Sequence, residues 1–270
     1  MTALRLRLRL RPGAQFDVVD LRRAYLESNT APLDGMWLSF ALAAEVTLIE
    51  AGDALVGFAT VDAERRVLEF FVRRPELARA AFGLVAAEAD GAMVPTTSPS
   101  FLSLAIDRQQ RVAVNAHLYQ ARDEAYSREV SPPEGTALRE LTAGELALAL
   151  DFGELAIPAP RDWLTGYYRA RIAKGELYGL WSGAELIAAG ELRPSPLQPG
   201  VADLGMVVAE RHRRRGLATR ILEQLIVRAG ARGLRAICST EASNPGAQKA
   251  IERAGFTAQH RLLEVAFDRA

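Results

Sequence analysis

Residues 203–218 read DLGMVVAERHRRRGLA. The stretch divides into an apolar run at 204–208, a polar turn rich in arginine, and Gly216-Leu217-Ala218. Beyond it, Leu217, Ile221, Leu225 and Ala229 recur along one stripe of a helix over 215–231. A strand therefore passes through a basic turn into a helix. Gly216 and Ala218 have little or no side chain, so a ligand can approach the backbone where the helix starts. Amide hydrogens there have no intrahelical acceptor and favour an anion. Successive amides in a turn form an anion-holding nest, and Arg213, Arg214 and Arg215 add charge suited to phosphate oxygens. The ligand implied is a phosphate or pyrophosphate, although an ordinary basic loop with a glycine opening a helix has the same spacing. No Gly-Lys-Ser or Gly-Lys-Thr follows, which excludes the P-loop NTPase pattern. GxGxxG is absent, which excludes the dinucleotide fingerprint.

Upstream, the patterns predict helices over 141–152 and 163–173. Strands follow at 176–181 and 185–192, joined through a turn at Gly183, and at 201–208. Downstream they predict a strand at 234–239, a helix over 245–254 stopped at Gly255, and a strand at 257–267. This alternation is the grammar of an α/β fold with a mixed sheet. The first half follows the same order. A helix over 18–29 precedes a hairpin of strands 46–50 and 55–61 around Gly52 and Asp53. A strand at 67–72, a helix over 75–90, a short helix over 99–107 and a strand at 112–119 follow. SPSFLSLAIDRQQRV from Ser98 and NPGAQKAIERAGFTA from Asn244 both run from a capping residue and Pro through a short helix into a strand. An internal duplication accounts for this, the alternative being two unrelated α/β halves. The polar segment QARDEAYSREVSPPEGT, 120–136, reads as a linker between domains at 1–130 and 136–270.

The 270 residues hold 33 Lys plus Arg against 33 Asp plus Glu, so no net field favours nucleic acid; only the Arg211 to Arg215 run does. A single cysteine, Cys238, excludes a disulfide within the chain. His117, His212 and His260 lack metal-ligand spacing, so no metal site is expected. The N-terminal MTALRLRLRLRPG alternates Leu and Arg, which predicts a strand with one wet face rather than a signal peptide. With no long apolar run, a cytoplasmic protein without membrane contact is expected.

The strand, the basic turn and the downstream helix together resemble the GNAT superfamily of N-acetyltransferases. The family's pyrophosphate motif is Gln or Arg, two residues, Gly, one residue, then Gly or Ala, matched here by Arg213, Gly216 and Ala218. A second motif, Asn, two residues, Ala, then a helix ending in Gly-Phe, is matched by Asn244, Ala247, Gly255 and Phe256. The resemblance covers 136–267 by motif and the first half by element order. It implies an α/β protein of tandem GNAT-like (acyl-CoA N-acyltransferase) domains, with mixed, mostly antiparallel sheets flanked by helices. It also implies direct transfer of an acetyl group from acetyl-CoA to a primary amine, carried by a small molecule or peptide, in a monomer or homodimer.

On the same resemblance, strand 201–208 splays from its neighbour, and Met206, Val207 and Val208 hold the pantetheine arm. Arg213, Arg214, Arg215, Gly216, Leu217, Ala218 and Thr219 hold the pyrophosphate. Asn244 faces the pantetheine or the wall near the thiol and is equally readable as a helix cap, and Ala247 belongs to the same cofactor site. Glu191 or Asp203 is the general base, Glu191 slightly preferred and Glu241 a third choice. Gly190 eases close approach of substrate or relieves crowding in the sheet.

Two departures stand out. The tyrosine that many such enzymes use to protonate the leaving thiolate is replaced by Ile251. Tyr167, Tyr168 and Tyr178 are alternative donors or packing aromatics, and a non-catalytic acyl-CoA binder is the competing function. In the first half, Arg73-Arg74-Pro75-Glu76-Leu77-Ala78 has no glycine, Glu76 opposes phosphate and Pro75 removes an amide. That half reads as a degenerate copy that no longer binds CoA.

Overall fold

The computed structural model describes residues 7–157 and 159–268. The chain divides into two compact units, Met1–His117 with His260–Ala270, and Leu118–Gln259. The first contains β1 (Leu8–Gly13), α1 (Val19–Ser28), α2 (Gly35–Ala43), β2 (Glu45–Ala51), β3 (Ala54–Val61), β4 (Arg66–Val72), α3 (Ala78–Ala87), β5 (Gly91–Pro95), α4 (Pro99–Ile106) and most of β6 (Gln109–Ala121). The second contains β7 (Thr136–Glu140), α5 (Leu146–Ala156), α6 (Arg161–Ala173), β8 (Leu177–Ser182), β9 (Glu185–Pro194), β10 (Val201–Val208), α7 (Leu217–Ala231), β11 (Arg235–Glu241), α8 (Pro245–Ala254) and the start of β12 (Phe256–Phe267). The element order is the same in both.

In the first unit the strands run β1-β2-β3-β4-β5, and the His260-onward part of β12 lies antiparallel to β5 from Leu262–Pro95 to Ala266–Gly91. In the second the order is β11-β10-β9-β8-β7. Neighbours pair antiparallel except β4 with β5 and β10 with β11. Of the N-terminal strand expected from the Leu–Arg alternation, residues 1–6 lie outside the described residues. In β1 the leucines at 8 and 10 are half-buried while Arg9 and Arg11 are exposed and bond Glu50 at 2.6 and 3.1 Å.

The stripe on α7 does what its spacing predicts. Leu217, Ile221, Leu222, Leu225, Ile226 and Ala229 are all buried against Ala188, Leu192 and Leu204 of the sheet. Each such Leu or Ile side chain contributes about 1.5–3 kcal/mol relative to an exposed one. The helix begins two residues later than the pattern suggested. Arg214 and Gly216 adopt left-handed φ values of 64° and 77°, which no helix accommodates. The opposite face of the sheet packs on α5 and α6 through Leu150, Phe152, Leu164, Tyr168, Leu177 and Ala189.

Three elements were not read from the sequence. In α2, GMWLSFALA is apolar almost throughout, so it shows no stripe; its start is marked by the Asp34 carboxylate, which accepts the Trp37 amide at 2.8 Å. In β5, GAMVP is short and wholly buried, a run that periodicity cannot assign. β7 begins at the end of the expected linker. That linker also packs: Ala125 is buried, the Tyr126 hydroxyl accepts the Ala236 amide at 2.7 Å, and Arg128 donates to the Ala254 carbonyl at 3.2 Å. Residues 118–135 therefore pack with the second unit and 260–268 with the first, in place of the expected boundaries at 130 and 136.

A Cβ at Gly190 would lie 2.6 Å from Ile221 Cγ2 and 2.9 Å from Leu225 Cδ1. Of the two roles open to this glycine, the structure supports relief of crowding between β9 and α7. Gly190→Ala will lower the stability of the second unit by about 1–3 kcal/mol, measurable as a shift of its urea midpoint at unchanged slope.

Candidate functional site: a split strand and its carboxylates

β10 stays paired with β9 from Ala202–Pro194 to Val208–Ala188. On its other side the parallel register with β11 covers Val201–Arg235, Ala202–Ala236 and Asp203–Ile237, then ends. From Leu204 onward β10 and β11 diverge, as the resemblance implied. Met206 and Val207 on that stretch are half-buried. Backbone amides and carbonyls along such an edge need a partner from outside the sheet.

The mouth of the gap is set by the starts of α7 and α8. The first helical bond of α7 runs from the Arg220 amide to the Gly216 carbonyl, so the amides of Leu217, Ala218 and Thr219 precede the ladder. A Cβ on Gly216 would meet nothing within 4 Å. Glycine is favoured by the left-handed φ there, and the space over it is open.

The arginines divide their work. Arg213 donates from Nε to the Val208 carbonyl at 3.2 Å, tying the turn to the end of β10. Arg211 and His212 both engage Glu185 Oε1, at 2.6 and 2.7 Å, and Arg215 contacts His212 Nδ1 at 3.0 Å. These bonds hold the Glu185 carboxyl below its usual range. Arg214 is exposed. Leu217 offers only its backbone, since its side chain is buried, and Thr219 Oγ1 donates to the Ala250 carbonyl at 3.2 Å. Asn244 Oδ1 accepts the Ala247 amide at 3.0 Å, so the cap reading of Asn244 is seen directly. Ile251 is buried in the core beside Ala254 and Phe256.

The carboxylates expected on neighbouring strands come together. Arg193 sits directly opposite Asp203, and Glu191 directly opposite Gly205. Arg193 Nη2 lies 3.1 Å from Asp203 Oδ2, and its Nε lies 3.3 Å from Glu191 Oε2. The Tyr167 hydroxyl of α6 donates to Glu191 Oε2 at 2.6 Å and accepts from Arg193 Nη1 at 3.0 Å. Asp203 is 3% exposed, at the last residue paired with β11. Burial first, and then the Glu191 charge, push the Tyr167 phenol far above its ordinary range. Arg193 was missed in the sequence; its signal is the i, i+2 spacing from Glu191, which puts both on one face of a strand. Glu241 is exposed at the end of β11 and accepts from Ser243 at 3.0 Å, outside this cluster. A groove of about 620 Å³ lies elsewhere in this unit, between α5 and Arg211, and none of these carboxylates lines it.

In the first unit β4 also leaves its parallel neighbour, after Arg66–Gly91 and Val67–Ala92. Two residues beyond that point stands Glu69, with Thr60 opposite, where the second unit has Gly205 and Glu191. Glu69 is fully buried and paired with buried Arg22 at 2.7 Å, and Thr60 donates to it at 3.2 Å. A closed ion pair fills the equivalent place. The following turn is a 3-10 segment, Pro75–Leu77, with Glu76 bonded to Arg74 at 2.8 Å. Among the described residues no cluster of His, Cys, Asp and Glu suits a metal ion, and no helix is long and apolar enough to cross a membrane.

Comparison with known proteins matches residues 15–122 to an acetyltransferase (GNAT) domain model and residues 148–256 to the acetyltransferase (GNAT) family model. Among solved structures, an acetyltransferase from the GNAT family from Colwellia psychrerythraea is 33% identical, with 96% of this chain and 100% of that one covered and a TM-score of 0.90. A GCN5-related N-acetyltransferase from Sphaerobacter thermophilus is 18% identical over 97% and 96% of the two chains, with a TM-score of 0.69. A tandem GNAT protein from the clavulanic acid biosynthesis pathway is also 18% identical, over 98% and 100%, with a TM-score of 0.67. The last two show likeness of fold. No curated protein matches the chain.

Tyr25, Tyr167 and Tyr168 are all held above the ordinary phenol value of 10.0, burial being the first cause in each. A raised folded-state value means the associated stability is complete below pH 10 and is lost as pH climbs above it. Absorbance titration will therefore show these phenols ionising late, accompanied by unfolding. Tyr167→Phe will remove one proton from that late phase.

Proposed function

Because the chain belongs to the GNAT family of acetyltransferases, we propose that its second unit transfers an acetyl group from acetyl-CoA to a primary amine by direct attack on the thioester. The observation that carries this reading is the gap between β10 and β11, closed at one end by the open, left-handed Gly216. The donor set suits the molecule. Amides at the start of α7 and the exposed Arg214 and Arg215 face a pyrophosphate, and the free edge of Met206, Val207 and Val208 pairs with an amide-bearing pantetheine arm. Ala247 and Asn244 then bound the gap from α8, with Asn244 keeping its capping bond.

In this reading Glu191 takes the proton of the amine, directly or through one water. Asp203 serves as the buried counter-ion of Arg193, since its burial and ion pair leave it poorly placed to exchange protons with solvent. The nitrogen forms a bond to the carbonyl carbon, the C–S bond breaks, and the thiolate departs. Backbone donors near Val207 stabilise the negative charge that develops on the carbonyl oxygen. The first unit is a copy without transferase chemistry, because its ion pair Arg22–Glu69 occupies the corresponding place and no glycine opens its turn. The acceptor is a small-molecule or peptide amine, and the protein works in the cytoplasm as a monomer or homodimer.

A second reading, an acyl-CoA binder without turnover, is favoured by Ile251, which puts a buried hydrocarbon where a proton donor would stand. Calorimetric titration tests the binding that both readings share, and an amine panel separates them. Wild-type protein will bind acetyl-CoA saturably, and folded Gly216→Glu will not, because the carboxylate enters the open space and repels phosphate. Transfer to at least one member of an amine panel, reduced about 10²–10⁴-fold by Glu191→Gln, supports catalysis. Binding without transfer across that panel supports the second reading, and absence of binding by folded wild type overturns both.

A further inference from the structure

The two oxygens of Glu191 are not equivalent. Oε2 takes the Tyr167 hydroxyl at 2.6 Å and faces Arg193 Nε at 3.3 Å, whereas Oε1 receives neither contact. Tyr167 is itself braced. Its ring stacks on Trp163 at 4.9 Å with the planes 10° apart, and the Arg171 guanidinium lies 5.4 Å from its centroid. Arg171 is anchored by Glu176 at 2.6 Å. Trp163, Tyr167 and Arg171 are spaced four apart, so they form one column along α6. Arg193 Nη1 donates to the same hydroxyl at 3.0 Å, which leaves its proton directed at the carboxylate.

Resting on the reading of Glu191 as proton acceptor, we infer that Tyr167 is a positioning residue: it holds one oxygen of Glu191 so that the other is free to receive the amine proton. The assignment accounts for a tyrosine that is mostly buried yet spends its hydroxyl on a functional carboxylate. It also explains the use of arginine at 193. One planar guanidinium addresses Asp203, Glu191 and Tyr167 at once, a geometry lysine does not offer. The charged and titratable groups around Glu191 are Tyr167 and Tyr168 on α6, Arg193 on β9 and Asp203 on β10. Losing the phenol removes the hydrogen bond made to Oε2 and leaves that oxygen facing Arg193 alone.

The test is the position of the Glu191 side-chain carboxyl resonance in the full chain carrying isotope-labelled glutamate, assigned by its disappearance in Glu191→Gln. In folded Tyr167→Phe that resonance is expected to leave its wild-type position, because the carboxylate loses its hydroxyl donor on Oε2. Replacing Tyr167 with a fluorinated tyrosine keeps the packing but makes a stronger donor, and is expected to shift the same resonance the opposite way. If the Glu191 resonance coincides with wild type in both proteins, Tyr167 only packs and the inference fails. Because the readout needs no acceptor, that failure is distinct from failure of the base assignment, which full transfer activity in Glu191→Gln would show.

Discussion

The second unit is organised by a conflict in hydrogen bonding at β10. This strand pairs with β9 from Ala202 to Val208 and with β11 for three residues only. Every amide and carbonyl beyond Asp203 on the open side must find a partner that is not sheet. The fold stabilises the divergence from both faces. Leu204 and Val208 are buried in the core under α7, and Val207 packs toward α5 and α6. The strand cannot collapse toward β11 without withdrawing these side chains. A polar slot between two parallel strands is therefore a consequence of where the apolar residues of β10 must go.

The same divergence occurs in both units, and the difference between them is chemical. In the first, the position two residues past the branch carries Glu69, and Arg22 neutralises it in the core. A buried pair of this kind adds little net stability over an apolar pair, but removing one member strands a charge. The pair fills that place. In the second, the corresponding residue is Gly205, and the carboxylate has moved across the ladder to Glu191, with Oε2 3.7 Å from where a Gly205 Cβ would be. Glycine there leaves room above the strand, and the acid on β9 overlooks that room.

Much of this architecture was legible because it follows from local rules. The α7 stripe, the hairpin at Gly183 and the Asn244–Pro245 opening of α8 each have short-range causes, and β10 and α8 appear with the bounds their patterns suggested. The elements that escaped were those whose patterns carry no period. α2 is apolar on all sides and β5 is buried on both faces. The expected linker was misleading for a related reason. A polar, proline-bearing stretch is kept in place by a few anchors, Ala125 and Tyr126 among them, that composition does not reveal. In the site, the strand positions of Glu191 and Asp203 were readable, but the bonds joining them to Arg193 and Tyr167 depend on register and on a helix distant in sequence.

That network also bears on the proton donor missing at Ile251. Tyr167 is the phenol nearest the carboxylates, yet its proton is already engaged by Glu191, and burial makes it a weaker acid than an ordinary tyrosine. It is suited to holding a proton, not to releasing one. The thiolate needs less help than an alkoxide would, because a thiol with a pKa of about 8.5 is only modestly disfavoured as its anion near neutrality. Helix starts and arginines beside the gap lower that demand further by favouring negative charge. On the proposed reading, a site with a positioned base and no dedicated acid is chemically coherent for a thioester, whose leaving thiolate is a weaker base than an alkoxide or an amide anion.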